Sequence, residues 1–133
     1  MEAFRLAVFL FAILIASQAH AQVTAGSSWE NDRGSILTID TIGADGQFEG
    51  EYVNNAAGFG CKGTPYAVVG WLNDNAIGWS VNWKETSEDC KSVTSWSGVI
   101  LSPTLIETIW SLGYTSSDHG PRVMTGSDYF SRK

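Results

Sequence analysis

The sequence predicts an all-β fold, an eight-stranded antiparallel up-and-down barrel, and three observations predict it. From Ser27 onward apolar and polar residues alternate with period two, Gly, Asp, Asn and Pro punctuate the alternation at short intervals, and no helical repeat is long enough to compete. Strands are expected near 27-31, 35-41, 47-54, 65-72, 76-84, 92-101, 104-114 and 122-132. The joints "NDRG", "GADG", "LNDN" and "LSPT" are tight turns, because Gly, Asn, Asp and Pro suit turn backbone angles, while 55-64, 85-91 and 115-121 are longer loops. Strands joined mostly by tight turns fit a closed barrel, with a sandwich as the alternative.

Ahead of the first strand the chain reads "MEAFRLAVFLFAILIASQAHAQ". Arg5 precedes the apolar run Leu6 to Ala16, and Ala19-His20-Ala21 supplies small residues at the cleavage positions of a secretory signal. The run is too short to cross a bilayer core, which takes roughly 20 residues. Cleavage after Ala21 is expected, leaving one domain over 22-133 in a secreted or periplasmic protein. The signal removes one acid, Glu2, and one base, Arg5, so the net charge stays at -6. With no cluster of Lys or Arg, the composition argues against nucleic acid or a membrane surface as partner.

Cys61 and Cys90 remain in a chain sent to an oxidising compartment, where paired thiols normally form a disulfide. The rival reading, a metal site, is poor: the two Cys and His119 are widely spaced and match no zinc pattern.

Parity along the strands separates interior from exterior. The aromatic and aliphatic sets begin with Ser35, Leu37, Ile39 on the second strand and Phe48, Gly50, Tyr52, Asn54 on the third. They continue as Trp79, Val81, Trp83 and then Ser92, Thr94, Trp96, Gly98. Ile106, Thr108, Trp110, Leu112 and finally Gly126, Asp128, Phe130 complete them. Pointed inward, these sets place Leu37, Ile39, Phe48, Trp79 and Ile106 as packing at one end. The other end gathers Asn31, Ser35, Tyr52, Asn54, Trp83, Ser92, Thr94, Trp96, Trp110 and Leu112. Apolar walls with convergent hydrogen-bonding groups describe a small-molecule pocket, and an eight-stranded barrel has room for one small ligand. Both cysteines fall in loops at that same end.

The segments "SSWENDRGS", "GEYVNNA", "GWSVNWK", "SVTSWSG", "ETIWSL" and "TGSDYF", in this order, make the chain similar to the avidin and streptavidin family of biotin-binding proteins over residues 27 to 132. The resemblance implies that Asn31, Ser35 and Tyr52 donate to the carbonyl of the ligand's cyclic urea, while Asp128 and Asn54 accept from its two N-H groups. Streptavidin carries a serine where this chain has Asn54, but an amide oxygen can also accept. Thr94 matches the hydroxyl near the ligand sulfur, and Trp83, Trp96, Trp110 and Leu112 match the box around ring and tail. Ser92 and backbone N-H groups of the 55-60 loop, Ala57 included, match the holders of the tail carboxylate. Trp29 and Trp79 are assigned to the floor; Tyr66, Trp71 and Tyr114 are structural or surface.

Tetrameric members place a tryptophan from a neighbouring subunit over the site, where this chain reads "SSDHGPR" with Gly120. With Cys61 and Cys90 present, the resemblance is to the dimeric, disulfide-containing branch, so a homodimer with high affinity is expected. Biotin is the implied ligand, with no cofactor. A secreted inhibitor or adaptor would put its aromatic groups on exposed loops. An enzyme would need an acid or base partner for Asp128, and His119 lies in a loop.

Overall fold

The computed structural model describes residues 23-133, so the expected signal segment lies outside the described residues. The strands are β1 Ser28–Asn31, β2 Ile36–Ile42, β3 Gln47–Val53, β4 Pro65–Asn73, β5 Ala76–Lys84, β6 Asp89–Ser102, β7 Leu105–Ser116 and β8 Gly120–Arg132. Each pairs antiparallel with the next, and β1 pairs with β8, with Asn31 opposite Phe130, which closes the barrel. That last pairing removes the sheet edges a sandwich would keep.

The strand ends nearest the pocket run further than the alternation indicates. β6 starts at Asp89, so Cys90, expected in a loop, sits inside a strand. Pairing lapses after Asn82 and resumes at Lys84 opposite Asp89, and Lys91 takes a left-handed φ of 49°. A bulge of this kind leaves no alternation to read. The ladder between β7 and β8 likewise continues through polar residues to Ser116 opposite Gly120, shortening the expected 115-121 loop to a turn.

Inward parity is as expected: Leu37, Ile39, Phe48, Trp79, Ile106 and Phe130 are buried. Trp79 stacks on Trp96 with ring centres 5.5 Å apart and meets Phe130 edge-on at 5.3 Å. Trp29 is also fully buried, its indole N-H donating to Ser27 Oγ at 3.1 Å. These rings form the floor on which the pocket rests. Tyr66 is buried edge-on to Trp83 at 5.2 Å, and Trp71 is exposed on the outer surface.

Candidate functional site

Above the floor the barrel opens into a cavity of about 480 Å³. Its polar corner is built by the turn between β1 and β2. Asn31 Oδ1 accepts the N-H groups of Arg33 at 3.1 Å and Ser35 at 2.8 Å, an Asx-type arrangement that fixes the side chain. Asn31 Nδ2 is thereby aimed at the Tyr52 hydroxyl, 3.5 Å away.

Ser35 Oγ accepts the Asn55 N-H at 2.9 Å and donates to Asn54 Oδ1 at 3.3 Å. Asn54 Oδ1 also accepts the Ala56 N-H at 3.0 Å, while Asn54 Nδ2 donates to the Gly60 carbonyl at 3.0 Å. Asn54 thus ties both ends of the 55-60 loop to the pocket wall. Tyr52 lies against Trp96 at 4.7 Å and edge-on to Trp83 at 5.8 Å. Burial pushes its hydroxyl far above the ordinary tyrosine range; the Asp128 charge adds to this, and the Ser35 hydroxyl and Arg33 charge oppose it.

Asp128, on β8 next to β1, lines the same cavity beside that corner and is 4% exposed. Its Oδ2 accepts the Trp96 indole N-H at 3.3 Å. Its Oδ1 is buried without a hydrogen bond and lies 3.7 Å from Arg33 Nε. The Arg33 side chain is 43% exposed, so water screens this pair and it compensates the carboxylate only in part.

Indoles make the walls. The Trp83 N-H donates to Thr94 Oγ1 at 2.8 Å, which fixes both groups in the wall. Trp110 and Leu112 are half-buried on β7. Trp110 pairs with Gly126, where any Cβ would overlap the indole, so only glycine leaves the ring its place. Ser92 is half-buried at the lip. Ala57 is exposed and off the cavity wall, and its neighbours Ala56, Gly58, Phe59 and Gly60 supply that stretch instead. Phe59 stands edge-on to Trp110 at 6.3 Å. A Cys61–Cys90 disulfide fastens the 55-64 loop to β6. Glu88 lies beside the two sulfurs, but they are bonded to each other and offer a metal nothing.

Among the described residues that line the cavity, Asp128 is the sole carboxylate and there is no imidazole. His119 is exposed in the turn between β7 and β8. The Avidin family model matches residues 19–133. The chain belongs to the avidin family. Afifavidin from Afifella pfennigii is 43% identical over 117 residues, covering 86% of this chain and 72% of that protein. Hoefavidin from Hoeflea phototrophica is 33% identical over 118 residues, covering 81% and 71%. Among solved structures, a rhizavidin-biotin complex matches with a TM-score of 0.77 at 37% identity, covering 83% of this chain and 92% of that one. A biotin complex of a shwanavidin phenylalanine-to-alanine mutant matches with a TM-score of 0.76 at 39% identity, covering 84% and 98%, and the same mutant is described as low affinity.

In this avidin-family barrel several lining residues escaped the sequence reading. Tyr114 and Met124 carried a signal, since they extend the inward parity of Trp110 and Leu112 on β7 and of Gly126 on β8. Arg33 sits in the turn beside Asn31 and reaches the mouth for that reason. Phe59 had no signal, because loop residues have no parity.

Proposed function

We propose that this avidin-family chain binds biotin, non-covalently and with high affinity, in the mouth of the barrel. The observation that carries the reading is Asp128 Oδ1, a buried carboxylate oxygen without a hydrogen bond, in an indole-walled cavity that Asn31, Ser35 and Tyr52 also line. A buried anion of this kind favours a ligand that brings an N-H to it. The donors Asn31, Ser35 and Tyr52 favour a carbonyl. A cyclic urea has both, and relatives solved with biotin, rhizavidin among them, support the choice.

In this reading Asn31, Ser35 and Tyr52 donate to the urea oxygen, and Asp128 and Asn54 accept from its N-H groups. Thr94 approaches the sulfur, and Trp83, Trp96, Trp110 and Leu112 enclose ring and tail. Ser92 and the backbone of the 55-60 loop, at Ala56, Gly58 and Gly60 rather than at Ala57, hold the tail carboxylate. The interior placement of the aromatic groups speaks against the inhibitor reading.

The same reading makes the protein a secreted or periplasmic homodimer of the disulfide-containing branch, processed after Ala21, with neither nucleic acid nor membrane as partner. Mass determination of the exported protein should give a chain starting at Gln22. For the binding itself, indole fluorescence is to be followed during a biotin titration. A saturable change is expected, and Asp128→Ala should weaken binding about 10- to 100-fold, the size of one hydrogen bond to a charged group. A flat titration by folded, oxidised protein would refute the assignment.

A further inference from the structure

Asn54 is better placed to exchange hydrogen bonds with Ser35 than to wait for a ligand. Its amide orientation is fixed by the backbone: the Ala56 N-H can only donate and the Gly60 carbonyl can only accept, so Oδ1 must face the first and Nδ2 the second. The remaining lone pair of Oδ1 takes the Ser35 hydroxyl proton. A carbonyl oxygen has two lone pairs, so Asn54 Oδ1 is full. Ser35 has one proton, which goes to Asn54, while its oxygen accepts from Asn55 and the Tyr52 hydroxyl is a further neighbour. Both side chains line the cavity and are buried, Ser35 at 1% and Asn54 at 7% exposure.

We propose that Ser35 and Asn54 form an exchange pair that reads an amide edge, an acceptor and an N-H donor side by side. A ligand carbonyl draws the Ser35 proton away from Asn54, and only that loss opens the lone pair that receives the neighbouring ligand N-H. One internal bond is traded for two to the ligand. Because Oδ1 keeps the Ala56 N-H throughout, the rim loop stays tied down in both states. A ligand with a carbonyl and no adjacent N-H leaves Oδ1 buried and half satisfied, so the pair rejects esters and ketones of the same shape. This rests on the biotin reading and adds to it the way in which donor and acceptor are coupled.

The coupling has a sign that distinguishes it from cooperative polarisation of the urea. If the internal bond must be broken on binding, removing either partner also removes that cost, so each single loss is cushioned. In a double-mutant cycle of Ser35→Ala and Asn54→Ala, measured by biotin dissociation constants, the double variant should lose more than the product of the two single losses. The excess should be roughly three- to tenfold, the worth of one neutral hydrogen bond. Ser35 and Asn54 both hold the 55-60 loop, at Asn55 and at Ala56 and Gly60, so the excess is assigned to the exchange where the biotin complex also shows the Ser35-Asn54 bond parted. Additive or less than additive losses overturn the exchange while leaving biotin binding intact. Failure of the wild type to bind biotin overturns both readings at once.

Should the Asn54 variants not fold, a crystal structure of the wild-type biotin complex decides. Ser35 Oγ within hydrogen-bond distance of the urea oxygen, Asn54 Oδ1 within that distance of a ring nitrogen, and the two side chains parted beyond it support the exchange. An intact Ser35-Asn54 bond in the complex overturns it.

Discussion

Tyr52 shows how burial turns an ordinary side chain into a dependable donor. Its hydroxyl has an ordinary value of 10.0, and burial, with the Asp128 charge behind it, raises this well above that figure. Below pH 10 the folded and unfolded chains both keep the proton and nothing depends on pH. Above it the unfolded chain releases the proton and the folded one does not, so the unfolded state binds fewer protons and stability falls as pH rises. Denaturation midpoints of the wild type should therefore decline above pH 10 more steeply than those of Tyr52→Phe, and equal slopes would count against the buried, protonated state. Over the same range the folded hydroxyl still donates, so biotin binding should persist where an exposed tyrosine would be half ionised. The sequence made Tyr52, Asn31 and Asp128 legible as inward polar groups because parity is a property of the backbone. It did not disclose that Asn31 and Asn54 spend most of their hydrogen-bonding capacity on backbone groups, since those partners depend on loop conformation.

At the scale of elements, the strands were legible from alternation and the rim was not. β5 was read to its exact ends because Trp79, Val81 and Trp83 alternate with polar residues up to Lys84. The start of β6 was missed because Lys91 adopts a left-handed φ without the glycine or asparagine that would advertise it. That irregular start carries Cys90, whose bond to Cys61 spans 29 residues. Opening it should cost about 3.5 kcal/mol by the loop-closure relation. The larger consequence is for the ligand. The disulfide and Asn54 hold the same loop, and Phe59 stands between them against Trp110. A loop ordered before binding loses less entropy when the ligand arrives. Reduction, or Cys61→Ser with Cys90→Ser, should thus speed biotin release, and Phe59→Ala should do so with the disulfide intact. Dissociation rates measured with labelled biotin test both, and rates matching the wild type in the two cases would show that the rim loop does not retain the ligand.

The whole molecule has two unlike outer faces. Outward positions on β1 to β3 carry Glu30, Asp40, Glu49 and Glu51. Across β5 to β8 the corresponding rows hold small residues, Gly78 beside Ser97 and Ser80 beside Ser95, and then Ile109 and Val123, which are 68% and 74% exposed. Val93, Val99 and Tyr129 extend the apolar surface. On this face large apolar side chains are set among small polar ones: Ile109 lies between Ser97 and Ser127, Val93 and Val123 flank Gly113, and Val99 and Tyr129 flank Glu107. A flat patch of small residues with a few large apolar ones suits an isologous contact, in which each copy offers the same face to the other. The acidic face would repel its like in the same arrangement, so charge and packing favour the same side for the proposed dimer. Ile109→Lys together with Val123→Lys should convert the proposed homodimer to monomers in sedimentation without opening the barrel, because both side chains point away from the core. Val123 adjoins Met124, which lines the cavity from the same strand. The monomeric variant should therefore release biotin faster than the dimer, by a loosened β7-β8 hairpin at the mouth. A double variant that still sediments as a dimer would move the interface elsewhere, and one that is monomeric with unchanged release would separate assembly from binding.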